Sequence, residues 1–170
     1  MIAITLPDQK TVTRMLFLEN IFDSFRLFQA DIRSYCHFQI DGSTCKEYFR
    51  ESDTMPSDDI AEYTGWDKIR PIAFQMIKGK RLPVSFQFSF SASEQMLNEL
   101  LSCLPDGHPN KNPDTIEGLT FNIYYRNGAI HCTSATSKKN FSLDQSLDHL
   151  WDRYLIAFLD RNEIEYKDEL

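Results

Sequence analysis

Residues 82–91, Leu-Pro-Val-Ser-Phe-Gln-Phe-Ser-Phe-Ser, constrain the fold more than any other stretch of the chain. Val84, Phe86, Phe88 and Phe90 alternate with Ser85, Gln87, Ser89 and Ser91. A period of two sends the two sets to opposite faces of a strand. Phenylalanines on one side and small polar groups on the other call for a sheet that is packed on one face and wet on the other.

The flanking segments supply material for the packed side. Pro7-Asp8 starts a helix with Val12, Met15 and Leu16 at helical spacing. A second helix begins near Trp66 or Asp67, which leaves Pro71 in or near its first turn and Gly79 as its stop. Ser93 caps a third, with Met96, Leu97, Leu100 and Leu101 as its stripe. The fourth runs from about Asp144 to Arg161 and carries a wide apolar face that includes Leu147, Trp151, Leu155 and Phe158.

Further strands follow from alternation. Ile2, Ile4 and Leu6 mark one. Residues 31–41 read as another, with Ile32, Cys36, Phe38 and Ile40 facing the core and Arg33, Tyr35, His37 and Gln39 facing away. Asp41-Gly42 then reads as a turn, with residues 44–49 as the returning strand. Asn127-Gly128 is the best short-range hairpin signal in the chain.

The element order is β-α-β-β-α-β-α-β-β-α. It gives an α+β fold, a mostly antiparallel sheet of about six strands with four helices. Each half has one hairpin and one Trp-Asp-basic triplet (Trp66-Asp67-Lys68 and Trp151-Asp152-Arg153), so an internal duplication is an option. The reading is a single domain over 1–162 and an acidic, frayed tail over 163–170.

Charge narrows the partners less than its total suggests. The chain carries −7, but residues 51–62 hold five acids and no base, and residues 160–170 contribute −3. Without those two segments the body stands at +1, which neither demands nor excludes a polyanion. The clusters Lys78-Lys80-Arg81 and Lys138-Lys139 lack interleaved stacking aromatics, so nucleic acid is not the expected partner. No apolar run approaches the roughly 20 residues of a membrane span.

The last four residues, Lys167-Asp168-Glu169-Leu170, spell an endoplasmic-reticulum retrieval signal, and Asn140-Phe141-Ser142 is a glycosylation sequon. The first ten residues have no basic region or apolar core of a signal peptide. The expectation is therefore a cytoplasmic protein with four free cysteines. Cys36, Cys45 and Cys132 are expected in the core, packed as small apolar groups.

Known chemical motifs fail. GxSxG, HExxH, P-loop, GxGxxG and EF-hand patterns are all missing, and no CxxC or histidine cluster suggests a metal or cofactor. Ser43-Thr44-Cys45-Lys46 has S-x-x-K spacing but no helix start to align its two groups. Asp144, Asp148 and Asp152 share one helix face, where acids complement the helix dipole. The remaining candidate is the wet face of the sheet. Arg33, Tyr35, His37, Tyr48, Asn122, Tyr124 and His131 are placed on it, beside Ser85, Gln87 and Ser89.

Three segments carry a resemblance: residues 66–86 ("WDKIRPIAFQMIKGKRLPVSF"), 38–49 ("FQIDGSTCKEYF") and 146–155 ("SLDHLWDRYL"). Together they resemble an uncharacterised domain-of-unknown-function family of small proteins from anaerobic Gram-positive bacteria. The resemblance implies a bacterial, cytoplasmic protein and brings no activity or catalytic residue. The doubled element order is also similar in outline to sliding-clamp subunits, a fold analogy to a nucleic-acid-associated protein that the aspartates of the last helix argue against.

Two functions follow. The first is a non-enzymatic interaction module that binds a protein or a small polar ligand on the open sheet face. The alternative is an enzyme on a small polar substrate with His37 or His131 as acid or base, which needs a carboxylate within hydrogen-bond reach of that histidine in a concave site. The reading leans against an enzyme. Oligomeric state is left open.

Overall fold

The alternation at 82–91 lies near the centre of a seven-stranded sheet in the computed structural model, which describes residues 1–50 and 60–169. The strands are β1 (Ala3–Leu6), β2 (Arg26–Arg33), β3 (His37–Asp41), β4 (Ser85–Ser91), β5 (Ile116–Arg126), β6 (Ala129–Lys138) and β7 (Lys167–Asp168). Their spatial order is β3-β2-β4-β5-β6-β1-β7, and every neighbouring pair is antiparallel. The helices are α1 (Gln9–Leu18), α2 (Lys46–Arg50), α3 (Trp66–Ile77), α4 (Glu94–Ser102) and α5 (Ser146–Arg161). The class is α+β, with one strand and one short helix more than the sequence indicates.

The core forms where aromatic rings from the helices meet the Phe face of β4. Phe17 of α1 packs edge-on to Phe86 and Phe88, with ring centres 5.7 and 5.4 Å away. Trp66 of α3 does the same to Phe88 and Phe90, at 5.1 Å each. Phe158 of α5 meets Phe22 and Phe25, and α4 buries Met96, Leu100 and Leu101. Both buried indoles satisfy their N–H: Trp66 donates to the Leu16 carbonyl at 3.0 Å and Trp151 to the Thr120 carbonyl at 2.9 Å. Asp8 and Ser93 cap α1 and α4 as expected, accepting from Thr11 N and Met96 N. Pro71 lies in the second turn of α3 rather than the first.

Residues 31–41 are a hairpin rather than one strand. β2 pairs with β3 so that Arg33 faces His37, Ile32 faces Phe38 and Asp31 faces Gln39, with Ser34–Cys36 as the turn. Paired residues share parity, so the period of two runs through the turn unbroken and alternation alone cannot reveal the bend. The faces of Arg33, His37, Phe38 and Ile40 come out as expected. Tyr35 and Cys36 sit in the turn and are exposed.

The returning strand at 44–49 is also corrected: residues 46–50 form α2. Gly42 is not a hairpin-turn glycine. It lies against β2, where a Cβ would stand 1.8 Å from the Leu27 carbonyl oxygen, and Asp41 accepts from Ser43 N and Oγ to turn the chain outward. Cys45 is therefore exposed instead of buried, and only Cys132 of the three expected core cysteines lies in the core. The acidic stretch 51–62 falls mostly outside the described residues; just after it, Tyr63 bridges to Ser43 and Gly65 to Arg26.

The tail is the third correction. Ile164 is buried, Tyr166 is half-buried, and Lys167–Asp168 pairs with β1 as β7, with Glu169 N donating to the Ala3 carbonyl at 3.0 Å. Acidic composition suggests a solvated end, but β1 would otherwise expose a hydrogen-bonding edge. The possible duplication finds no counterpart in the sheet either. β4 pairs with β5, whereas its equivalent β1 pairs with β6 and β7 and not with β2. The outline similarity to clamp subunits, which depended on that repetition, goes with it. No described helix is long and apolar enough to cross a membrane.

Candidate functional site

The face turned away from the helices is organised by strand register. One row takes a residue from every strand: Gln39, Asp31, Gln87, Tyr124, His131, Thr5 and Lys167. A second contains Gln29, Ser89, Asn122 and Thr133, and a third His37, Arg33, Ser85 and Arg126. All these side chains are exposed or half-buried. Between β2, β4 and β5 the face dips into a depression of about 710 Å³ lined by Asp31, Arg33, Ser85, Gln87, Asn122, Tyr124 and Arg126 among others.

Each histidine on this face meets a carboxylate. His37 Nε2 lies 2.6 Å from Asp31 Oδ2, and Gln39 Nε2 donates to the same oxygen at 3.4 Å. His131 Nδ1 contacts Glu169 Oε1 and lies 3.2 Å from Thr5 Oγ1, while Thr5 donates to Glu169 at 2.6 Å. A nucleophile relay needs the hydroxyl on one ring nitrogen and the carboxylate on the other. Here Thr5 and Glu169 share Nδ1, so the three groups clasp β7 to β1 and β6 and do not form a relay.

The electrostatics follow from these contacts. Hydrogen bonds from Thr5 and then His131 hold the Glu169 carboxyl below its ordinary range. Burial chiefly, and then the Glu169 charge, push the Tyr124 hydroxyl upward. The Tyr124 ring lies on His131, with centres 5.2 Å apart and planes 19° from parallel. Burial keeps the Cys132 thiol protonated, well above its usual titration.

Of the residues expected on this face, Arg33, His37, Asn122, Tyr124 and His131 are there. Tyr35 is in the β2–β3 turn, with its ring edge against Phe38, and Tyr48 stands 79% exposed on α2. The face also carries Asp31, Arg126, Thr5 and Glu169, which are not among the candidates drawn from the sequence. Alternation does signal Asp31 and Arg126, which stand two residues from Arg33 and Tyr124 on the same strands. Nothing local links Thr5 or Glu169 to the site, because their contacts span 126 and 38 residues to His131.

The aspartates of α5 serve separate partners. Asp144 meets His108 and Asn110, Asp148 meets Thr136 and Lys138, and Asp152 meets Ser134 and the Met1 amino group. No group of three or more His, Cys, Asp or Glu able to hold a metal occurs among the described residues.

Residues 15–167 match the profile of DUF5721, a family of unknown function. The chain belongs to that family. The match to DUF5721 spans β2 through the first residue of β7, so it includes every strand that lines the depression. No curated protein and no solved structure matches this DUF5721 chain.

Proposed function

We propose that this protein is a non-enzymatic binding module that seats a small polar ligand in the depression of its polar sheet face. The observation that carries the reading is the asymmetry of the sheet. The packed helices lie on the aromatic face, and the opposite face offers a concavity whose volume falls within the usual 300–1,000 Å³ of ligand sites. Its lining of hydroxyls, amides and guanidinium groups suits a ligand held by hydrogen bonds. The three rows span about 30 Å by 15–20 Å from strand and residue spacings, less than the roughly 800 Å² a standard protein partner covers.

Amide-shift mapping of the ¹⁵N-labelled protein against a panel of sugars, nucleosides, amino acids, dicarboxylates and sugar phosphates tests this. Binding should shift amides of β2, β4 and β5, and Tyr124→Ala should weaken it. A panel in which no compound moves those amides would overturn the reading.

One observation favours an enzyme instead. Asp31 lines the depression and holds His37 at 2.6 Å, a pairing that can orient an imidazole as an acid or base. Against it, neither His37 nor His131 lines the concavity itself. Turnover of a bound compound that is abolished by His37→Ala would favour the enzyme.

A further inference from the structure

The centre of the polar face is short of acid. No Asp or Glu occurs from residue 68 to 93 or from 118 to 143, in a chain with 25 acids. Those spans contain β4, β6 and all of β5 except its first two residues. Within the depression the carboxylate is Asp31, already engaged by His37 and Gln39.

Two arginines stand in that donor-rich field. Ser85 pairs with Arg33 on one side and Arg126 on the other, so the two lie in one row with β4 between them. Two strand spacings put their Cα atoms about 10 Å apart, a separation that two long side chains on the same face can bridge. Among the described residues neither has a carboxylate within 4 Å, although Arg14, Arg70, Lys111 and Lys138 all do. The loop carrying Lys78, Lys80 and Arg81 reaches the same end of the sheet, because Val84 N donates to the Arg33 carbonyl at 2.8 Å. Two unpaired cations on one row repel each other, and an anion between them removes that cost. Guanidinium groups bind planar or tetrahedral oxyanions through paired N–H donors.

Resting on the binding reading above, we propose that the ligand is anionic and that Arg33 and Arg126 clamp its phosphate or carboxylate. Ser85, Gln87, Asn122 and Tyr124 then hold the uncharged remainder. The chemistry is oxyanion recognition, and phosphate and polycarboxylate are its two sources.

The test titrates the ¹⁵N-labelled full chain with pyrophosphate in one arm and citrate in the other, at low salt and at 0.5 M NaCl. The amides of Ser85, Asn122 and Arg126 should shift in at least one arm, and that arm names the source. Arg33→Gln and Arg126→Gln should each weaken binding by about tenfold or more, as loss of a charge-assisted contact implies. Arg126→Lys should fall between, and Arg161→Gln, a charge-matched change at the end of α5, should alter affinity less than twofold. All four changes are at exposed positions, and an unchanged melting temperature verifies folding. Equal loss in Arg161→Gln, or full binding in both arginine variants, would overturn the clamp. Shifts from neutral compounds but not from either anion would remove the clamp and leave the binding face standing, whereas silence from every compound would remove both.

Discussion

Gln87 and Phe88 are chain neighbours on the same strand, yet they belong to two different molecules in a physical sense. Phe88 is fully buried among Phe17, Trp66 and its flanking phenylalanines. Gln87 lies on the exposed polar row between Asp31 and Tyr124. One face of the sheet holds the stability and the other is free to hold something else. Burial of apolar area makes the first face intolerant of change, while solvent already satisfies the groups of the second.

The largest expected effect breaks this comparison most directly. Phe88→Ala should destabilise the fold by about 3–5 kcal/mol, and Gln87→Ala by less than about 0.5 kcal/mol, measured by urea denaturation. Similar losses at both positions would mean that the two faces are not energetically distinct.

Thiol labelling sharpens the same contrast without a change of sequence. Cys36, Cys45 and Cys103 are exposed, and Cys132 is buried with its thiol protonated. An alkylating reagent should modify three cysteines per native chain and the fourth only on unfolding. Mass spectrometry that finds Cys132 modified in the first set would place it outside the core.

The smallest effect is local to the edge where the two faces end. Glu169 titrates below its ordinary 4.5 because Thr5 and His131 stabilise its charged form. A depressed carboxyl contributes stability above its unfolded value and loses it as pH falls through the folded one. Cross-strand proton contacts between residues 4–5 and 167–168 should therefore persist at neutral pH and fade in acid below 4.5. Glu169→Gln should remove that pH dependence while leaving the melting temperature almost unchanged.

The packed face was legible because its signals are local. Phe86, Phe88 and Phe90 announce a strand, Ser93 and Asp8 announce caps, and the stripe of α5 runs from Leu147 to Leu159. The Asn127-Gly128 hairpin appears with both residues at positive φ. Errors arose where a local pattern has two solutions. Alternation from Ile32 to Ile40 fits a straight strand and a hairpin equally, so it predicts sheet faces for Tyr35 and Cys36 that they do not occupy. Gly42 looked like a turn residue because close approach to Leu27 is invisible without the partner strand. The polar face was half legible for the same reason. Parity found Tyr124 and His131, but the row that joins them to Thr5 exists only through pairing across 126 residues.

That long-range pairing has a kinetic side. The β2–β3 and β5–β6 hairpins close over short loops and can form as soon as they are made, but β1 pairs with β6 and β7 alone. Contacts so distant in sequence carry a loop-closure cost and slow the approach to the native state. During synthesis β1 is made well before β6 and β7, and both its edges stay bare until those strands follow. Ile4 and Leu6, both buried in the finished sheet, lack their strand partners for that interval, so β1 waits longer for its neighbours than any other strand of the sheet.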